Sequence, residues 1–153
     1  MPSGNPSPVE QREFSARFAS LTDVSAFVDD FGARHAIDPD LALKLTLVLE
    51  ELVTNTIEHG FGIESDAPIR IGLTATNTRS VSIAFEDTAP PFDPLVHAAS
   101  RPAAVDDPFS SRPIGGLGIH LIEQLASAAR YAREGERNRL WLTFESRADS
   151  SQA

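Results

Sequence analysis

Glu51, Asn55 and His59 stand four residues apart in the stretch EELVTNTIEHG, residues 50–60. On an α-helix, positions i, i+4 and i+8 lie roughly above one another, so a carboxylate, a carboxamide and an imidazole would share one face. A carboxylate accepts protons, and an amide oxygen is a ligand for a hard cation such as Mg²⁺. That pairing suits phosphoryl transfer from a nucleotide, where a base takes a hydroxyl proton and a metal screens the phosphates. The ordinary reading of such a stripe is a solvated helix face. Against it, the surrounding pattern is strongly apolar, and asparagine is a poor mid-helix residue. His59 alone would also serve as a cation at a helix C-terminus.

Two further segments carry chemistry. Asp87 falls in phase with the inward set Val81, Ile83, Phe85. Its carboxylate therefore points to the core side of a strand and needs a hydrogen-bond donor there. Beside an open pocket, such an acceptor suits the exocyclic amine of adenine. Taken alone, Asp87 with the following residues, TAPPFDP, favours the more ordinary reading, a turn that Asp87 merely starts. In Gly115-Gly116-Leu117-Gly118, three of four residues are glycine. Placed at a helix start, they leave backbone N–H groups and a positive dipole end open to phosphate. The stretch is neither a Walker motif, since it continues Ile119-His120, nor a Rossmann fingerprint. His35, His97 and His120 lack metal-ligand spacing, and no serine-hydrolase elbow is present.

The elements that must position these groups are legible from periodicity. A first strand is predicted over Glu13–Ser20, and a helix from Thr22 or Asp23 to Arg34. Asp38-Pro39 opens a second helix, with the proline at its first position, and Gly60 is the expected stop. Leu45, Leu49, Leu52, Val53 and Thr56 are its core face; Lys44, Glu51, Asn55 and Glu58 are its polar stripe. Alternation then predicts strands over Ile69–Ala75 and Val81–Phe85. Phe92–Arg112 has little periodicity and reads as a lid. A helix over Ile119–Ala129 and a hairpin pairing Arg130–Glu134 with Leu140–Glu145 close the chain. The order implies an α+β two-layer sandwich, its mixed, mainly antiparallel sheet covered on one face by helices. Residues 1–10 and 147–153 read as loose tails around a domain at 11–146.

The 153 residues suffice for a sizeable core. A formal charge of −9 argues against direct nucleic-acid binding. With no cysteine, thiolate chemistry and disulfides are excluded. No apolar run approaches a membrane span, and there is no signal-peptide core, so the expected location is cytoplasmic, away from membranes.

Together, LVLEELVTNTIEHG, FEDTAPPFDP and RPIGGLGIHLIEQL resemble the N-box, adenine box and glycine-rich lid hinge of the GHKL (Bergerat-fold) ATPases. The tail YAREGERNRLWLTF is similar to the closing hairpin of their anti-sigma-factor serine/threonine kinase branch. The resemblance covers about Phe14 to Phe144. It implies that Glu51 is the general base, that Asn55 ligates Mg²⁺, that Asp87 bonds the adenine amine and that His59 sits against the nucleotide. It further implies phosphate contacts along Gly116, Leu117 and Gly118. Arg112 is inferred as a phosphate clamp, and Thr143 as a second adenine contact. ATP and Mg²⁺ are the implied cofactors. A STAS-type anti-sigma-factor antagonist is the implied substrate, a sigma factor a further partner, and a homodimer the implied assembly. One departure stands out: the family's Asp-x-Gly-x-Gly reads Asp87-Thr88-Ala89-Pro90-Pro91 here, which would stiffen the adenine loop. It keeps open a rival reading, a non-catalytic module that sequesters a partner with nucleotide structural or absent. A detached histidine-kinase catalytic domain is a third.

Overall fold

A computed structural model describes residues 6–99 and 117–146. Strand β1 spans Glu10–Ala16, helix α1 Ser20–Arg34, helix α2 Pro39–Asn55, strand β2 Ser65–Asn77 and strand β3 Ser80–Asp87. A short helix α3 (Pro94–Ala99), helix α4 (Leu117–Leu125) and the hairpin β4 (Ala126–Glu134) and β5 (Arg137–Glu145) complete it. The strands form one sheet in the order β1-β2-β3-β5-β4. Every pairing is antiparallel, so the expected mixed sheet is a purely antiparallel one among the described residues. The α+β two-layer architecture is as the pattern implies.

Two periodicities build the core. Ile69, Ile71, Leu73, Val81, Ile83, Leu142 and Phe144 alternate onto one face of the sheet and are at most 1% exposed. Phe27 and Phe31 of α1 and Leu45, Leu49 and Leu52 of α2, at helical spacing, cover that face. Each such burial contributes roughly 1.5–3 kcal/mol. The other face is polar. There Glu86 lies 3.1 Å from Arg137, 3.2 Å from Arg139 and 3.5 Å from Arg70. The guanidinium groups of Arg130 and Arg139 sit 3.9 and 4.8 Å from the Trp141 ring centre.

Several boundaries differ from the periodic reading. β1 begins at Glu10, and Ser7 already pairs with Ala75 through both its N–H (2.8 Å) and its hydroxyl oxygen (2.9 Å). Pairing thus reaches into the segment expected to be a tail. The strand ends at Ala16, because Arg17 N–H bonds back to Ser15 O at 2.8 Å and turns the chain. Phe18, expected inward, is 42% exposed, and α1 starts earlier, at Ser20. α2 starts at Pro39 as expected, but Asp38 is not a side-chain cap; its carboxylate accepts from the Ser146 hydroxyl at 2.9 Å. Ala126–Ala129, expected to be helical, are strand, paired with Phe144 to Leu142 of β5. Pairing with a long neighbouring strand overrides alanine's helix preference. Part of the expected lid is helix α3, and residues 100–116, including Arg112 and Gly116, lie outside the described residues.

Candidate functional site

α2 delivers two of the candidate groups. Glu51 is half-buried one turn ahead of Asn55 and makes no hydrogen bond or ion pair with any described residue. Asn55, expected on a polar stripe, is instead 6% exposed, and its amide nitrogen has no hydrogen-bond partner among the described residues. At Asn55 the α-helix gives way to a π-turn, Thr56–Phe61, closed by Gly62 at φ +78°. The stop is therefore Gly62, not Gly60. Such wide turns concentrate at functional sites, and this one rotates His59 off the Glu51–Asn55 line. His59 is exposed and stacks on Phe92, ring centres 6.0 Å apart and planes 16° from parallel.

Gly60 has a different job. A methyl group there would lie 2.9 Å from the Ala89 methyl, so the π-turn and the loop after β3 touch where only glycine fits. Ala89 itself is 1% exposed. Among described non-glycine residues, positive φ occurs only at Ala36. The substitutions in the adenine box therefore leave Ala89 and Pro91 in ordinary backbone geometry, and a methyl at position 89 fits because Gly60 faces it.

Asp87 is the last residue of β3 and is 6% exposed. Both sequence readings hold: it points inward and it starts the turn. One oxygen, Oδ1, accepts from Ala89 N–H at 3.0 Å and from Asn138 Nδ2 at 2.8 Å. The other, Oδ2, accepts from the Thr56 hydroxyl at 2.8 Å. Asn138, on β5, also donates to Ala89 O (3.1 Å) and Pro90 O (3.0 Å). Its oxygen accepts from Phe92 N–H at 3.1 Å and from the Tyr131 hydroxyl. Arg133 adds a 2.7 Å bond to Ala89 O.

These groups meet in one cleft of about 280 Å³, counted to its open mouth. Asn55, Thr56, Asp87 and Asn138 supply its polar end; Leu52, Phe85, Phe92, Pro94 and Leu140 supply apolar walls. An apolar cleft with a few convergent polar groups is the general form of a small-molecule site.

Among the expected residues, the structure brings Asn55 and Asp87 into the cleft; Glu51 lies one turn earlier on α2 and does not line it, and His59 reaches it only through its stacking on Phe92. Thr143 is not part of it. It lies on the opposite face of the sheet, its hydroxyl 3.1 Å from that of Ser82. Thr56, read from sequence as a core position, takes the bond to Asp87 instead. Leu117 and Gly118 open α4, while Arg112 and Gly116 lie outside the described residues. Asn138 and Tyr131 were missed. The signal for Asn138 was present: it continues the inward phase of Leu140, Leu142 and Phe144, and a carboxamide in such a phase needs a reason.

The model of the histidine kinase-like ATPase domain matches residues 14–144. The chain belongs to the histidine kinase-like ATPase family. Among solved structures, it is similar to the RsbU and RsbW domains of Rv1364c from Mycobacterium tuberculosis, at 17% identity and a TM-score of 0.60. The match covers 91% of this chain and 32% of that one, so the chain spans about a third of that structure's length. The Acinetobacter baumannii histidine kinase AdeS matches at 16% identity, a TM-score of 0.42, and coverage of 90% of this chain and 68% of that one. No curated protein matches the sequence.

For a histidine kinase-like ATPase domain, the residues present fit a Mg²⁺–nucleotide. The unpaired atom of Asn55 is its amide nitrogen, a donor that a phosphate oxygen would satisfy, whereas Mg²⁺ would take the amide oxygen; leaving the donor unpaired costs about 1–3 kcal/mol. Among the described residues no cluster of three or more His, Cys, Asp or Glu could hold a metal ion by itself. No described helix is long and apolar enough to cross a membrane.

Proposed function

We propose that this chain is an ATP- and Mg²⁺-dependent serine/threonine protein kinase. Its substrate is a STAS-type anti-sigma-factor antagonist, and the kinase works in a partner-switching module as an anti-sigma factor that also holds a sigma factor, as a homodimer. The observation that carries the catalytic part is the placement of Asn55, buried with an unpaired amide, in the cleft that ends at Asp87. Family membership supports ATP as the ligand. The likeness to a structure containing an RsbW domain and the closing-hairpin resemblance support the choice of partners.

In this reading Asp87 accepts the adenine amine, and Asn55 holds Mg²⁺, which neutralises phosphate charge. Glu51 removes the proton from the acceptor hydroxyl as that oxygen bonds the γ-phosphorus. The bond to the bridging oxygen breaks in line, and ADP leaves. Glu51 suits that task because no other described group occupies its lone pairs.

Purified protein, Mg²⁺, γ-labelled ATP and a STAS-domain antagonist test the proposal. Glu51→Gln is expected to lower serine labelling by a factor of about 10² or more while Mg-ATP affinity stays within about twofold. Undiminished labelling in that variant would falsify the role of Glu51. Nucleotide binding with no transfer by the wild type would favour the sequestering module, and acid-labile label would favour a histidine kinase.

A further inference from the structure

We infer that Asn138 sets the base selectivity of the cleft by saturating one oxygen of Asp87. The inference rests on the reading of the cleft as a nucleotide site and adds a residue to it. A carboxylate has about four acceptor positions, two on each oxygen. At Asp87 three are filled: Oδ1 by Ala89 N–H and Asn138 Nδ2, and Oδ2 by the Thr56 hydroxyl. Among the described residues one position remains, on Oδ2, in a residue that lines the cleft and is 6% exposed.

The edge of a base presents donors in distinct patterns. At its pairing edge adenine offers one N–H of its exocyclic amine, beside a ring nitrogen that only accepts, and one acceptor position satisfies that N–H. Guanine offers a ring N–H beside an amine, a pair that a carboxylate reads best with both oxygens at once. With Oδ1 closed, Asp87 meets the single donor fully and the pair only by half. Guanine would then bury an unbonded N–H, and sites matched to a hydrogen-bonding pattern reject such a misfit strongly.

Asn138 cannot itself read the base. Its two N–H bonds are shared among Asp87, Ala89 O and Pro90 O, and its oxygen accepts from Phe92 N–H and the Tyr131 hydroxyl. It acts through Asp87 and is a positioning residue. Of the two donors on Oδ1, the Ala89 N–H comes from the chain's own turn, two residues on. Asn138 is the one that a side-chain substitution removes.

The test is calorimetric titration of the full chain with Mg-ATP, Mg-GTP and Mg-N6,N6-dimethyl-ATP, which lacks the amine donor. Wild type is expected to bind ATP at least about tenfold tighter than either of the others. Asn138→Ala is expected to cut the ATP-over-GTP preference by roughly tenfold, chiefly by tightening GTP. Thr56→Val, which frees a position on Oδ2 and leaves Oδ1 closed, is expected to keep the preference. Parallel weakening of ATP and GTP in Asn138→Ala would overturn the inference, since a residue that only holds the loop lowers both alike. Equal ATP and GTP affinity in the wild type would overturn it without any variant, should Asn138→Ala fail to fold by circular dichroism. Absence of ATP binding to the wild type defeats the nucleotide reading itself, a result distinct from those two.

Discussion

The polar lining of the cleft has two neighbouring parts built on opposite plans. Around Asp87 every polar group has a partner: Thr56, Ala89, Asn138, Tyr131 and the Phe92 N–H form one closed network. A residue away along the chain from Thr56, the Asn55 amide nitrogen is buried without a partner among the described residues, and the Glu51 carboxylate, a turn earlier, has none among them either. The closed part costs little in the free protein and fixes an acceptor in place, so it selects by shape and donor pattern. The open part carries a burden of about 1–3 kcal/mol until a ligand fills it. Stability is given up at the groups that must change partners during a reaction, and kept where recognition needs rigidity.

Asn55→Ala breaks this contrast most directly. Removing the amide takes away an unsatisfied buried donor and, on the proposed reading, a Mg²⁺ ligand. Mg²⁺-dependent ATP affinity is expected to fall by about a hundredfold, the loss of a metal contact worth several kcal/mol. The melting temperature without ligand is expected to hold or rise, and the stabilisation seen on adding Mg-ATP to shrink. A variant that melts several degrees lower yet keeps the full response to Mg-ATP would show that the amide serves the core and not the ligand.

Gly60 joins the two parts, and Gly60→Ala sharpens the comparison by pushing one against the other. The added methyl would lie 2.9 Å from that of Ala89, a contact that something must relieve. A destabilisation of about 1–3 kcal/mol is expected from overpacking. Ala89→Gly in the same chain should restore most of it, and a double-mutant cycle by urea unfolding measures the coupling. A coupling energy near zero would mean that the π-turn and the adenine loop are held apart by other contacts.

Much of this was legible in the sequence, for identifiable reasons. Period-2 alternation in β2, β3 and β5 and the apolar spacing of α2 gave the layers, because burial on one face enforces those periods. The inward phase of Asp87 placed its carboxylate on the buried side, where it lines the cleft. Other features depend on partners distant in the chain. Ala126–Ala129 are strand because β5 extends opposite them, which no local propensity encodes. Thr143 fell on the wrong face through neglect of the same alternation that buries Asn138, Leu140 and Leu142. The π-turn that moves the helix stop from Gly60 to Gly62 has no simple residue signature. Gly60 was read as a terminator, whereas its role is close approach to Ala89, visible only once the two segments are side by side.

A third carboxylate, far from the cleft, tests whether saturation by itself matters. Glu10 is bonded on both oxygens, by Arg34 on one and by His35 Nε2 at 2.6 Å on the other. The His35 hydrogen bond first, then Arg34, hold its carboxyl below the usual glutamate range against an opposing effect of burial. A carboxyl whose pKa is lower folded than unfolded stabilises the protein above its unfolded value, and loses that contribution as pH falls through the folded one. Glu10→Gln is therefore expected to be less stable than wild type at neutral pH, by no more than about 0.5 kcal/mol because the pair is partly exposed and screened. The gap should close on acidification through the range below the ordinary glutamate titration. ATP affinity should not change at any pH in that range. If it did, the surface pair would be coupled to the cleft, and the division between a closed recognising part and an open reacting part would extend across α1.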